Sequence, residues 1–170
     1  MSDKYVDSQR QNGLPARARE SSGVGTRLRS ITFETAAADA ALDVRRLFTI
    51  GAHEIPVQMD VVCDAIAGLS EVDIGLHRPG VDGIVVDRDA FMDGVDLSAG
   101  YAFAAKKDGL AALAIEERGI LSAYEIANDV LATDVIGHLP NDSYDVTMTF
   151  VSEVTAVGTI TVHLWTIDQQ

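Results

Sequence analysis

The sequence predicts a mainly β chain, an antiparallel β-sandwich of jelly-roll-like type with one or two short helices and an extended N-terminal arm. Three observations carry that expectation. Seven or eight short runs alternate apolar and polar residues, as half-buried strands do. Glycine- and proline-bearing turn signals separate them. Strands do not alternate regularly with long helices, as a parallel βαβ sheet would require.

Residues 1–26 are polar, interrupted by Gly13, Pro15, Gly23 and Gly25, and lack a sustained hydrophobic period. They read as an arm that buries little by itself. GVGT at residues 23–26 lacks the lysine, the further glycine and the preceding strand of a phosphate loop. The sandwich domain is expected over residues 27–170. Its first strand is RLRSITF at residues 27–33, where Leu28, Ser30 and Thr32 alternate with Arg29, Ile31 and Phe33. Residues 36–41 are read as a loop or one helical turn, and DVRRLFTI at 43–50 as a second strand.

Pro56 opens VQMDVVCDAI, in which Val57, Met59, Val61 and Cys63 share an apolar face against Gln58, Asp60, Val62 and Asp64. Gly68 closes that run. EVDIGLH at 71–77 places Val72, Ile74 and Leu76 on the core side, and RPGVDG at 78–83 supplies a turn. A short strand is expected over residues 84–86. DRDAFMDGVDLS then reads as a short helix with Phe91 and Val95 on one side.

Residues 109–131 hold the main helical options. GLAALAIEERG is short and ends at Gly119. LSAYEIANDVL offers Ser122 as N-cap with Glu125 three residues on, a capping-box spacing, and Leu121 with Ile126 as a hydrophobic staple. At the C-terminus Tyr144, Val146, Met148 and Phe150 alternate with polar residues, as do Ile160, Val162 and Leu164. The two runs, joined by residues 152–158, read as a β-hairpin.

The formal charge of −13 disfavours direct nucleic-acid binding, since phosphate contacts need lysine and arginine. It is unevenly placed. Residues 1–46 hold eight Lys/Arg against six Asp/Glu, whereas residues 47–170 hold five against twenty. A mildly basic arm on an acidic body serves either to lie on an acidic or mixed partner surface or to keep the tail soluble. The N-terminus has no apolar leader core, and no apolar run reaches the ~18 residues of a membrane span. Cytoplasmic synthesis and no membrane association are the resulting expectations.

No catalytic, cofactor or metal residues are assigned. Cys63 is a lone cysteine in an apolar run, expected to be a small buried hydrophobe. His53, His77, His138 and His163 stand at no metal-ligand spacing on one element. Asp82, Asp87, Asp89, Asp93 and Asp96 form the densest carboxylate run, without the alternate-residue ligand series of a calcium loop. Capping and solvated surface account for them, with a cation site or an acid/base pair as remote alternatives. Arg45, Arg46, Lys106 and Lys107 are surface cations suited to salt bridges with another macromolecule. His163 and Trp165 share a strand face with Thr161, either a polar-aromatic contact patch or an ordinary solvated face.

The run VRRLFTIGAHEIPVQMDVVCDAI, then EVDIGLHRPG, then VVDRDAFMDGVDLS resembles a pattern in structural proteins of tailed-bacteriophage heads. DGLAALAIEERGILSAYEIAN and YDVTMTFVSEVTAVGTITVHLWTI are similar to the regions that follow, so the resemblance spans residues 43–167 and leaves out the arm. It implies a non-enzymatic capsid decoration, or cement, protein on the exterior of the virion, made in the cytoplasm of a bacterial host. The implied partners are the major capsid protein and other copies of the chain, as a homotrimer or alternatively a dimer. The residues chosen for partner contact are Arg10, Arg17, Arg19, Arg27 and Arg29, in and after the arm. His163 and Trp165 are chosen for contact between copies. A phage tail, fibre or vertex module would share the sandwich, as would a carbohydrate-binding module or sandwich enzyme using Asp87 and Asp89.

Overall fold

The computed structural model describes residues 3–4, 25–37, 39–80, 84–114, 118–119, 122–129 and 143–168. It is a sandwich of two sheets. Strands β1 (Asp3–Lys4), β3 (Asp43–Gly51), β5 (Val72–His77), β6 (Val85–Val95) and β8 (Ser143–Phe150) form one sheet, in the order β1-β3-β8-β5-β6. Strands β2 (Thr26–Glu34), β4 (Glu54–Cys63), β7 (Lys107–Asp108) and β9 (Thr159–Asp168) form the other, in the order β2-β9-β4-β7. All pairings are antiparallel except the short β1–β3 contact. Apart from the β5–β6 hairpin, the chain changes sheet at each step from β2 to β9. That interleaving places consecutive strands face to face across the core instead of side by side.

The core follows from period-2 patterning on both inner faces. Tyr144, Val146, Met148 and Phe150 of β8 and Ile160, Val162 and Leu164 of β9 are fully buried in one cluster. Val72, Ile74 and Leu76 of β5 join them, as the alternation predicts. Cys63 lies in the same cluster, and burial pushes its thiol pKa up.

The expected C-terminal hairpin does not form. β8 and β9 lie in different sheets, and residues 151–158 carry the chain across the core. Alternation marks one apolar face on each strand; it does not say whether two such strands lie side by side or face to face. The linker is too long for a tight turn and long enough to cross the ~10 Å between packed sheets. It is fixed by backbone bonds from Val151 N to Glu71 O and Val154 N to Asp39 O, both 3.0 Å.

The helix expected over DRDAFMDGVDLS is also replaced, by the long strand β6. Ala90, Phe91 and Met92 are all buried in succession, which no single helical stripe requires. The pairing of β6 with β5 breaks register three times. The Phe91/Val95 spacing of four fits one face of a helix and one face of a strand alike, so it could not decide between them. Gly75 makes the close approach possible, because a Cβ there would lie 2.0 Å from the carbonyl oxygen of Asp87.

In β4 a bulge between Pro56 and Gln58 removes Val57 from the face shared by Met59, Val61 and Cys63. Residues 36–37 and 39–41 are loop and turn, without a helical turn among the described residues. Residues 109–113 make turns where the first helix is expected, and Gly109 packs on Met59, where a Cβ would lie 2.6 Å from Cγ. The second expected helix is α1 (Ala123–Asp129). Its capping box is realised: Ser122 N donates to Glu125 Oε2 at 2.8 Å, and Glu125 N donates to Ser122 Oγ at 3.3 Å. Ala123, Ile126 and Ala127 face the core; Leu121 of the proposed staple lies outside the described residues.

Candidate interaction face

The outer face of the four-stranded sheet gathers the most distinctive surface chemistry. Register brings Leu28 of β2 beside Trp165 of β9 and Gln58 of β4, and Ser30 beside His163 and Asp60. Thr32 and Thr161 complete the next row, their hydroxyls 2.9 Å apart. Since successive side chains alternate across a strand, these rows form one continuous surface.

The segment between β6 and β7 folds back onto this face through a 3-10 turn at Phe103–Ala105. The ring of Phe103 meets His163 edge-on, with centroids 6.3 Å apart, and His163 lies 5.9 Å from Trp165. The Lys106 ammonium sits 5.7 Å from the Phe103 centroid and 5.8 Å from that of Trp165, within cation–π range of both. It also pairs with the Asp60 carboxylate, which accepts from Gln58 Nε2 at 3.0 Å. Asp60 is buried on the outward side of β4 because this cluster covers it. The result is a fixed aromatic–cation patch edged by two exposed apolar side chains, Phe103 at 68% and Leu28 at 54% exposure. A shallow cavity of about 240 Å³, lined by Val57, Gln58, Asp60, Lys106, Asp108, Leu110 and Arg118, adjoins it.

His163 and Trp165 therefore belong to an ordered patch whose other members, Phe103, Lys106, Asp60 and Leu28, the sequence reading did not assemble. Only the strand alternation was visible in sequence. The contribution of Phe103 and Lys106 depends on a fold-back that no local pattern encodes.

The arginines chosen for partner contact fall differently. Arg10, Arg17 and Arg19 lie outside the described residues. Arg29 points to the inner side of β2 and reaches over Thr166 to Glu54. Its Nη1 and Nη2 donate to the two carboxylate oxygens, both at 2.7 Å, and Nη1 also donates to Thr166 Oγ1 at 2.8 Å. Thr166 Oγ1 donates to Glu54 Oε2 at 2.6 Å. Arg27 lies 3.7 Å from Glu54 and 3.2 Å from Asp168. Burial of Glu54 opposes its ionisation, but the Arg29 and Thr166 hydrogen bonds and the Arg29 charge outweigh it and hold the carboxyl below its usual range. Arg45 and Arg46 are likewise engaged internally, with Asp39 at 2.6 Å and Asp145 at 2.9 Å.

The acidic run is dispersed. Asp87 and Asp89 sit together on β6, where burial and the neighbouring Asp89 raise the Asp87 pKa to about 6. Asp96 instead accepts from Ser98 N at 2.8 Å, and Asp82 lies outside the described residues. Among the described residues no three His, Cys, Asp or Glu side chains converge to hold a metal ion. His77 Nδ1 lies 2.6 Å from Thr147 Oγ1, and His138 is outside the described residues. Among the described residues no helix is long and apolar enough to cross a membrane.

No family model matches the chain, and no curated protein matches it in sequence. Two solved structures share its fold. A chain of the capsid of Ralstonia phage GP4 superposes with a TM-score of 0.56 at 14% identity, over 98% of this chain and 99% of that one. A chain of the cyanophage Pam1 capsid asymmetric unit superposes with a TM-score of 0.52 at 9% identity, over 94% and 99%.

Proposed function

We propose that the chain is a virion structural protein of a tailed phage, a decoration or cement protein on the outer surface of the assembled head. The observation that supports this reading most directly is the end-to-end match of its fold to single chains of two phage capsid structures, with neither partner carrying an unmatched domain. The role is non-enzymatic. The chain holds together contacts between major capsid subunits and associates with its own copies. Many copies acting together turn modest single contacts into avidity, and the strongly acidic body limits aggregation on a crowded particle surface.

The aromatic–cation face is the contact surface in this reading. Anchors of hot-spot type are aromatic, and here they are pre-positioned by Lys106 and Asp60, so little side-chain entropy is lost on docking.

Quantitative mass spectrometry of purified particles tests the role. A copy number near that of the most abundant shell protein is expected. A handful of copies would favour a tail, fibre or vertex module, and absence would remove the virion reading altogether. The contact face is tested by Phe103→Ala/Trp165→Ala, expected to lower retention on particles at least about tenfold while leaving the fold intact. Unchanged retention would place the contact elsewhere.

A further inference from the structure

The four outer edges of the two sheets are not alike. β6 breaks register three times against β5 and carries Asp87, Asp89 and Asp93. β3 is covered by β1 at Val44 and Arg45, and a bulge between Arg46 and Phe48 interrupts it. β4 is covered along its length. β7 pairs with Asp60 and Val61, Gly109 N donates to Met59 O at 2.8 Å, Gly119 N donates to Pro56 O at 3.1 Å, and Tyr101 bridges Cys63. These are the devices by which proteins keep sheet edges from pairing.

β2 has neither a bulge, a proline nor a covering strand among the described residues, and its charges are limited to Arg27, Arg29 and Glu34. Its nine residues run in unbroken one-to-one register with β9, without bulge or proline, and among the described residues it pairs with no other strand. Its outward side chains, Thr26, Leu28, Ser30, Thr32 and Glu34, are all exposed. The two charges on its inner side, Arg27 and Arg29, are already bound by Asp168 and Glu54 and so do not repel an incoming strand.

We propose that β2 pairs antiparallel with β2 of a second copy about a two-fold axis at Ser30, joining the two four-stranded sheets into one. The sequence of the strand is self-complementary in that register. Leu28 lies opposite Thr32, Ser30 opposite Ser30, Thr26 opposite Glu34, Arg27 opposite Phe33 and Arg29 opposite Ile31. No like charges face each other, and the exposed Leu28 of each copy gains a cross-strand neighbour. With the partners Glu54 and Asp168 counted, the edge holds two positive against three negative charges, close to balance in a chain whose residues 47–170 carry the negative excess. It is therefore an edge at which two acidic bodies approach with little local repulsion. The new ladder extends the outer face bearing Trp165, so the aromatic patches of the two copies share one surface. This deepens the self-association within the proposed function but does not depend on the capsid.

The test is made on the purified full chain without particles, so its failure leaves the copy-number test of the virion role untouched. Opposite residues of an antiparallel ladder have Cα atoms about 4.5–5.5 Å apart, within disulfide range. Ser30→Cys is therefore expected to give a covalent dimer under mild oxidation, while Thr161→Cys, one strand further from the axis on the same face, is not. Leu28→Lys/Thr32→Lys places lysines opposite each other twice and is expected to weaken dimerisation in sedimentation at least about tenfold. Leu28→Lys/Thr32→Glu, which makes the same positions complementary, is expected to restore it. A wild-type chain that stays monomeric at high concentration, equal cross-linking at both cysteine positions, or a Lys/Lys variant that dimerises like wild type would each overturn the proposal.

Discussion

Glu54 offers the sharpest test of how the sandwich is held together. Its side chain is 7% exposed and bound bidentately by Arg29, which is 24% exposed. Removing the arginine by Arg29→Ala strands a buried carboxylate. Breaking a buried pair in this way costs about 3–5 kcal/mol. Water reaches part of the vacated space and Arg27 remains 3.7 Å from the carboxylate, so the expected loss is lower, about 2–3 kcal/mol. For a chain of this size that is a fall in melting temperature of about 4–12 °C at pH 7. Glu54→Gln should cost less, because the amide needs no counter-ion and Arg29 can turn to solvent.

The pH dependence separates the charge from the packing. The folded Glu54 value lies below its ordinary 4.5, so the ionised form stabilises the native state above the unfolded value. That contribution fades as pH falls below 4.5 and through the folded value. Urea unfolding of wild type and Glu54→Gln at successive pH values should therefore show a stability gap that is full at pH 6–7 and shrinks in acid. A gap that stays constant down to pH 3 would refute the assignment of this stability to the ionised carboxylate.

Asp87 has the opposite sign. Its folded pKa is raised to about 6, so the ionised form opposes folding above that pH. Asp87→Asn should stabilise the chain at pH 7 by about 1 kcal/mol, a figure discounted for solvent screening at this half-exposed site, and the gain should vanish below about pH 4 in the same titration. Gly75→Ala would drive a Cβ to within 2.0 Å of Asp87 O and 2.3 Å of Arg88 C, both backbone atoms that cannot rotate away. It should lift β6 with its buried Phe91 and Met92 and cost about 3 kcal/mol or more, read from the urea midpoint. Ser122→Ala removes the cap of α1 and should cost about 1 kcal/mol, read as a lowered melting temperature; no change would mean that packing of Ala123 and Ile126 alone fixes the helix.

The sequence by itself determined what local physics encodes. Period-2 alternation marked the core faces of β5, β8 and β9, because a strand must turn one side from water. The Ser122–Glu125 spacing marked the start of α1, because both capping bonds close within three residues. The alternation also placed His163 and Trp165 on one outward face. Tertiary structure decided everything that depends on which neighbour a face meets. Alternation is the same for a hairpin partner and for a strand across the core, so it pairs β8 with β9 although they stand in opposite sheets. The sequence offers Arg29 for partner contact because its counter-ion, Glu54, is 25 residues away and not visible in any local pattern. Alternation puts Val57 on the core face because the bulge between Pro56 and Gln58 has no period of its own. The patch itself exists because residues 103–106 fold back over β9 and bring Phe103 and Lys106 to a tryptophan about sixty positions along the chain. Sequence fixes which atoms avoid water; only the closed sandwich fixes which of them meet.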